Sequence, residues 1–242
     1  MTTYLAIISA VLLTSIISGI IGMAGGIILM AILVSLLSVS GAMIVHGFVQ
    51  ATSNGSRSWF LREHIQWQIL PPYLIGAGIA LSAFVSLTLV PNEALILICI
   101  GIFPWLARIT PMLKGLNVNK IPTAISCGLV VTSAQLFAGA SGPLLDVFYL
   151  NTRLTRHEII ATKALTQTIG HLLKLFYYGF IITVTEHLPI VFIACAMATA
   201  VIGARIGTRL VDRFSDEQFR DISGYVILAL ASVCLVTGMM RY

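Results

Sequence analysis

Two glycine-containing stretches, separated by about half of the chain, decide how the sequence folds. The first is Ser18-Gly-Ile-Ile-Gly-Met-Ala-Gly-Gly26, and the second is Gln135-Leu-Phe-Ala-Gly-Ala-Ser-Gly-Pro143. The stretches align without a gap at an offset of 117 residues, and the same offset relates further polar, aromatic and proline positions. The equivalent pairs are Gly22 and Gly139, Gly25 and Gly142, His46 and Lys163, Gln50 and Gln167, Asn54 and His171, Arg57 and Lys174, Phe60 and Tyr177, and Pro72 and Pro189. This gap-free register predicts an internal duplication.

The composition places both halves of the duplication in a membrane. Of the 242 residues, 58% are hydrophobic and only 10% are charged, and the mean hydropathy is +0.99. Soluble domains carry about 25% charged residues, which excludes a soluble enzyme, a disordered protein and a nucleic-acid-binding protein. The four cysteines lie in apolar runs without metal-ligand spacing, so we expect no metal and no cofactor. The sequence therefore predicts an all-α polytopic membrane protein in contact with the lipid bilayer.

Apolar segments divide the chain into long and short elements. A helix needs about 20 mostly apolar residues to cross a bilayer, and eight segments approach this length. They span about residues 4–21, 41–61, 68–90, 93–109, 121–138, 158–182, 187–208 and 219–240. Two shorter segments, at about 26–39 and 143–150, each follow one of the glycine stretches. Lipid offers no hydrogen-bond partners to the backbone N–H and C=O groups that a break in a helix exposes, so we expect half-helices or re-entrant segments that lie within the protein. Whether they cross the bilayer stays open.

The basic residues predict which side of the membrane each loop faces. Suppose that each short segment, with the helix before it, returns to its starting side or makes two crossings. Ten of the fourteen Lys and Arg residues then share one side: Arg62, Arg108, Lys114, Lys120, Arg153, Arg156, Arg205, Arg209, Arg213 and Arg220. Cytoplasmic loops are enriched in Lys and Arg, so this topology puts both termini outside the cytoplasm, in a protein of the cytoplasmic (inner) membrane.

In this topology the short segment of each half and the helix before it contribute either no crossing or two, and the other three long segments contribute one each. Each half therefore makes an odd number of crossings, which predicts that the second half is inverted relative to the first. We assign residues 1–112 to the first transmembrane repeat, 113–120 to a cytoplasmic linker and 121–242 to the second, inverted repeat. Inverted repeats with broken helices near the bilayer midplane are the architecture of secondary transporters. The sequence contains no Gly-Lys phosphate-binding loop, so ATP hydrolysis within this chain is not expected.

Two helices carry matching polar stripes inside the membrane. The stripes consist of His46, Gln50, Asn54 and Arg57 in the first half, and of Lys163, Gln167, His171 and Lys174 in the second. The spacing i, i+4, i+8 and i+11 puts each set on one helical face. Lipid cannot satisfy such side chains, so both faces are expected to point at protein or water. Neither stripe contains a carboxylate, and cations with N–H donors suit an oxyanion rather than a cation.

The glycine stretches are expected to complete this site. A helix that begins after Gly25 or Gly142 presents free backbone N–H groups and the positive end of its dipole. The substrate-binding candidates in the stretches are Gly22, Gly25, Gly26, Gln135, Gly139, Ser141 and Gly142. We expect the helix starts to meet near the bilayer centre, with Arg57 toward the cytoplasm and Lys174 toward the outside. Asp146, a carboxylate within the second short segment, is a candidate for proton coupling or for pairing with Lys174 or another cation.

Each of these residues also has a structural interpretation. Arg57, Lys163 and Lys174 could extend their side chains to the lipid headgroups. Gln50 and Gln167 could hold neighbouring helices together by hydrogen bonds, and the glycines could serve close helix packing. The histidines of the stripes could be structural or proton-linked, and the carboxylate could form an ordinary salt bridge.

Both halves resemble the TauE/SafE (sulfite exporter) family of permeases. The resemblance rests on the two glycine stretches, on the polar helix ending near Arg57 with the following Ile65-Gln-Trp67, and on the helix that contains Ala161-Thr-Lys163. It covers nearly the whole chain, although Ala24 and Ser141 stand where glycines are common in the family. The resemblance implies a transporter that moves sulfur-containing anions, such as sulfite and organosulfonates, across the cytoplasmic membrane.

Taken together, these features predict a secondary transporter for a small sulfur-containing oxyanion. We expect alternating access, export as the direction and the proton motive force as the driving force. An enzyme is not expected, because the histidines form no HExxH pattern and no GxSxG occurs. The alternatives are a cation or metal transporter, which would favour carboxylate, histidine or thiol clusters, and a membrane subunit that transports nothing. The choice of anion and the oligomeric state, including a homo-oligomer, stay open.

Overall fold

The computed structural model describes residues 2–21, 24–109, 116–182, 188–211 and 216–242, and this part of the chain contains helices and loops but no strand. The first half holds α1 (Thr2–Ile21), α2 (Ala24–Leu36), α3 (Val39–Phe60), α4 (Leu70–Leu87) and α5 (Glu93–Ile109), with two short 3-10 turns between α3 and α4. The second half holds α6 (Ile121–Ala138), α7 (Gly142–Val147), α8 (Arg156–Phe176), α9 (Ile190–Val211) and α10 (Asp216–Arg241). Helices therefore occupy the eight long segments and both short ones.

The helix boundaries repeat at the offset of the duplication. The first helix of each half ends at equivalent positions, Ile21 and Ala138, inside its glycine stretch and directly before the equivalent residues Gly22 and Gly139 of the sequence. The third helix of each half begins after equivalent capping residues, Ser38 and Thr155. Such side chains satisfy backbone N–H groups that the first turn leaves without partners. The short helices differ, because α2 has 13 residues and α7 has only 6.

Four helical segments of the described residues are long and apolar enough to cross a membrane. These are Thr2–Gly19, Trp67–Leu87, Ile121–Ala138 and Ile190–Gly207. The residues Ala24–Leu36 and Tyr225–Arg241 form shorter apolar helices. The helices α3 and α8 are as long as the four but carry the polar stripes, so their composition alone does not mark them as spans. The predicted number of eight long crossings therefore stays a prediction.

Helices of one half pack mainly against helices of the other half. The closest neighbours are α1 with α9, α4 with α6, α5 with α10, and α3 with α8. Glycines bring these backbones together: a Cβ atom on Gly76 of α4 would collide with the carbonyl oxygen of Ile125, and one on Gly128 of α6 with that of Tyr73. Small residues at such crossings are the usual way in which helices associate in a bilayer.

The outer surface is apolar, whereas five of the eight stripe side chains of α3 and α8 are buried: His46, Gln50, Asn54, His171 and Lys174. Large hydrophobic residues such as Ile75, Phe180 and Ile190 are exposed. A larger apolar core surrounds α1, α2, α3 and α5, and a smaller one lies between α4, α6 and α7. An apolar exterior around a polar centre is the distribution expected of a protein that lipid surrounds.

Candidate functional site

The two polar helices, α3 and α8, run antiparallel and bring their stripes together. Near one end Gly47 lies against Leu175, and further along Gly55 lies against Thr168. Beyond the other end the rings of His64 and His157 are 5.2 Å apart. Because the chains run in opposite directions, the last turn of each stripe helix meets the beginning of the other stripe.

A small polar cavity lies between these stripes and the two glycine stretches. Its volume is about 20 Å³, which is room for one water molecule. The lining residues come from α1, α2, α3, α8 and the start of α7, and they are Ser18, Gly26, Ile27, His46, Gln50, Asn54, Ala140, Ser141, Gly142, Gln167 and His171. The lining contains amides, hydroxyls and imidazoles and no carboxylate, which is the donor chemistry that an oxyanion needs.

One end of the cavity is closed by a buried chain of hydrogen bonds. The Nε2 atom of His46 lies 2.9 Å from the Gly26 carbonyl oxygen and donates to it, because a carbonyl can only accept. The Nδ1 atom of His46 is then an acceptor for Lys174 Nζ at 2.8 Å, and the same ammonium donates to the Gly139 carbonyl oxygen at 3.0 Å. The side chain of Lys174 is 0% exposed. This ammonium ties α8 to both glycine stretches without any carboxylate.

The other end holds a partly exposed ion pair. Lys163 Nζ pairs with a carboxylate oxygen of Asp146 on α7, and the two side chains are 17% and 42% exposed. Of the pairings predicted for Asp146, the structure thus shows another cation and not Lys174. Arg57 lies close enough to Lys163 for their charges to interact, and its Nη2 atom donates to the Ser18 carbonyl oxygen at 3.3 Å.

The side chain of His171 stands out among the lining residues because it is incompletely bonded. It is 4% exposed, and its ring centre lies 5.4 Å from that of His46. Its Nδ1 atom has no hydrogen-bond partner among the described residues. A buried polar atom without a partner is costly, so this nitrogen is the natural contact for a bound water molecule or ligand.

Amide side chains connect the remaining parts of the site. Asn54 Nδ2 donates to Gln50 Oε1 at 3.4 Å, and the Gln50 amide lies beside Gly26. On the opposite wall Ser141 Oγ donates to Gln135 Oε1 at 2.9 Å. The Gln135 amide nitrogen donates in turn to the Gln167 carbonyl oxygen at 3.4 Å. The bond from Gln135 to Gln167 holds the second glycine stretch against the stripe of its own half, whereas the Gln50 amide contacts the first stretch by proximity alone.

The structure brings most of the sequence-predicted site residues together, although in different roles. Eight of them line the cavity: Gly26, His46, Gln50, Asn54, Ser141, Gly142, Gln167 and His171. Lys174, Gly139 and Gln135 are bonded to a lining residue or to each other, whereas Arg57, Lys163 and Asp146 lie beyond the lining. Gly25 packs against Thr14 and Ser18 of α1, as in close helix packing. Gly22 lies outside the described residues.

Three lining residues were not predicted from the sequence: Ser18, Ile27 and Ala140. A signal for Ser18 was present, because the offset of the duplication makes it the equivalent of Gln135. Ala140 stands between the candidates Gly139 and Ser141, and Ile27 directly follows Gly26. Neither carries a functional group that would separate it from other apolar residues.

Apolar helices around a polar interior define a multi-pass membrane protein. The chain belongs to the sulfite exporter TauE/SafE family, whose sequence model matches residues 7–233. This family is one of membrane permeases, which agrees with the cavity and with the resemblance read from the glycine stretches. No curated protein and no solved structure matches the chain.

Proposed function

We propose that this protein is a secondary transporter that exports a small sulfur-containing oxyanion, such as sulfite or an organosulfonate, across the cytoplasmic membrane by alternating access. The observation that carries the proposal is the donor-lined, carboxylate-free cavity, which has a cationic side chain beyond each end. An anion that leaves water loses its hydration, and buried N–H donors and cations are the groups that replace it.

The size of the cavity supports alternating access. At about 20 Å³ it holds about one water molecule and no sulfonate, so the walls have to separate before an anion enters. A site that is closed at both ends between two opened forms is a necessary step when only one side is open at a time. Lys174 and Lys163 would receive the anion at opposite mouths, with the Lys163 end toward the cytoplasm.

Two inverted repeats, residues 1–112 and 121–242, supply the moving parts in this proposal. Their support is the exchange of helices between halves: α1 packs against α9 while its equivalent α6 packs against α4. The pairs α3 with α8 and α5 with α10 each join equivalent helices. A two-fold axis between the halves produces such an arrangement. Rocking one half against the other would then close the cavity on one side of the membrane and open it on the other.

The orientation in the proposal has support at the surface. Beyond the C-terminal end of α3 the side chains of Trp59, Phe60 and Trp67 are exposed, and the Arg62 guanidinium lies 5.2 Å from the Trp59 ring centre. Tryptophan and arginine are favoured where a membrane meets water. These exposed aromatic residues and Arg62 lie on the side that carries the predicted cytoplasmic arginines. The proton motive force as driving force remains part of the proposal, with His46, His171 and Asp146 as the groups near the cavity that can exchange a proton.

Anion-dependent stabilisation of the purified protein tests this function. Sulfite, sulfate, taurine and sulfoacetate are added separately to protein in lipid nanodiscs, and thermal unfolding is recorded. A ligand at about 100 times its Kd adds about 2.7 kcal/mol to the free energy of unfolding, so at least one sulfur oxyanion is expected to raise the melting temperature by several degrees. Flux of that anion into proteoliposomes then separates transport from binding. Stabilisation by divalent metal ions and by none of the anions would overturn the proposal.

A further inference from the structure

The ion pair between Lys163 and Asp146 lies next to the cavity. Lys163 precedes the lining residue Gln167 by four positions on α8, and Asp146 follows the lining residue Gly142 by four positions on α7. Four residues are about one helical turn, or a rise of about 6 Å. The carboxylate therefore neutralises the first cation that an anion would meet on leaving or entering the cavity at this end.

Stability does not explain the pair. Its side chains are 17% and 42% exposed, and ion pairs exposed to water contribute about 0–1 kcal/mol. The duplication does not require it either, because the position equivalent to Asp146 is Leu29, which is fully buried in the apolar core. The position equivalent to Lys163 is His46, which bonds to the Gly26 carbonyl and to Lys174. The carboxylate is therefore an addition at one end of the cavity only.

The charges around the pair favour the arrival of an anion. Arg57 is near enough to Lys163 for their charges to interact, and within the described residues it pairs with no carboxylate, its recorded partner being the Ser18 carbonyl oxygen. Two cations and one carboxylate leave a local excess of positive charge. A carboxylate and a sulfonate both present anionic oxygen atoms that accept charge-assisted hydrogen bonds from an ammonium, so one can replace the other as its partner.

We propose that Asp146 is an internal counter-anion: its carboxylate occupies an anion subsite formed by Lys163 and Arg57 when that subsite is otherwise empty, and the transported anion displaces it. This inference rests on the proposed transport of an oxyanion. Displacement also has a mechanical consequence, because the ion pair links α7 to α8, and Ser141 and Gly142, at the start of α7, form part of the cavity wall. An anion that reaches Lys163 thus releases the wall that separates it from the cavity.

Calorimetric titration of the protein in nanodiscs with sulfite and with sulfoacetate tests the displacement. Asp146→Asn removes the competing charge, and we expect about tenfold tighter anion binding, as when a binding-competent state populated at about one tenth becomes dominant. Asp146→Glu keeps a competing carboxylate and is expected to bind like the wild type. In a Lys163→Gln background the Asp146→Asn exchange is expected to change the anion affinity less than twofold. The reason is that Lys163, the cation for which Asp146 and the anion compete, is then absent.

The outcomes separate this inference from the proposed function. A wild-type protein that binds neither anion contradicts the function itself, and the inference falls with it. A wild-type protein that binds, together with an Asp146→Asn variant of unchanged or weaker affinity, overturns the counter-anion alone. Asp146→Ser is the second charge-removing variant if Asp146→Asn does not yield folded protein, and size-exclusion profiles with melting temperatures verify folding for every variant.

Discussion

The two ends of the cavity are built from positions that the 117-residue offset relates, but they are closed in different ways. At one end Lys174 is fully buried and bonds to His46 and to the Gly139 carbonyl. At the other end the equivalent residues are Arg57 and Lys163, and the closing partner is the partly exposed Asp146. The first end is sealed by neutral acceptors deep in the protein, whereas the second is held by a partly exposed carboxylate. The structure is therefore closed more firmly at the Lys174 end.

The largest expected effect concerns the sealed end. Lys174→Met keeps the length of the side chain but removes its charge, and we expect anion flux in proteoliposomes to fall on the order of 100-fold or more, since a buried charge–ligand contact is worth several kcal/mol. The exchange also leaves His46 Nδ1 and the Gly139 carbonyl oxygen without this donor, which lowers stability, so melting temperatures and size-exclusion profiles have to show that the variant is folded before its flux is compared. Lys163→Met is the matched variant at the partly exposed end, and its loss is expected to be smaller. Equal losses would remove the difference between the two ends.

The rate at which a water-soluble reagent labels each end of the cavity measures how firmly that end is closed. In a protein whose native cysteines are replaced, Asp146→Cys and Lys174→Cys are labelled with a membrane-impermeant thiol reagent. A buried site reacts only when the protein opens, and an opening cost of about 2 kcal/mol slows labelling about 30-fold. The Asp146 position is therefore expected to react on the order of 30 times faster than the Lys174 position. Comparable rates at both positions would show that the ends are equally open.

The sealed end also depends on a backbone position that favours glycine. Gly139 ends α6 with φ = +77°, and a Cβ atom there would lie 2.5 Å from the sulfur of Met30. The left-handed conformation costs other residues about 1–3 kcal/mol, so Gly139→Ala is expected to lower the free energy of unfolding by about 2 kcal/mol in mixed-detergent titrations. Gly78→Ala is the control, because its Cβ would meet nothing within 4 Å. Equal stability of the two variants would mean that Gly139 is replaceable.

The smallest effect is expected between the two ends, at the unpartnered nitrogen of the cavity. His171→Phe keeps an aromatic ring and removes Nδ1, and we expect anion affinity to fall about tenfold, the value of one hydrogen bond to a charged group. The control is His64→Phe, because His64 is exposed and lies outside the cavity. Calorimetric titration with the anion identified by thermal stabilisation measures both. Unchanged affinity in His171→Phe would give this histidine a structural role.

The positions of the helices could be predicted from the sequence because lipid imposes strong rules on length and polarity. Glycine stretches and apolar lengths located α1, α2 and α6, and the shared stripe spacing located the facing sides of α3 and α8. The length of α7 was overestimated, since the apolar run to residue 150 continues beyond the helix end at Val147. Apolar character alone does not separate a helix from a buried loop.

The partners within the site could be predicted only in part. A stripe gives the direction of a side chain around its own helix but not the residue that it meets on another. The choice of Lys163 over Lys174 as the partner of Asp146 depends on where α7 lies, and α7 is positioned by its packing against α5, α6 and α2, for which the sequence around Asp146 gives no signal. The lining residue Ser18 shows the opposite case, because alignment with Gln135 would have identified it without any structure.

A π-helical turn begins three residues after Lys174, so the backbone beside the sealed end contains one residue more than a regular α-helix would. Tyr177–Ile181 form this turn, and the Ile182 amide donates to the Tyr177 carbonyl oxygen at 3.1 Å. Such a turn holds one more residue than an α-helical turn, and each residue of an α-helix is rotated by about 100° from the next. Passing that surplus residue along α8 would swing Lys174 away from His46 and Gly139 while the helix stays helical. In the proposed alternating access, such a shift in helical register would open the Lys174 end without a net loss of backbone hydrogen bonds.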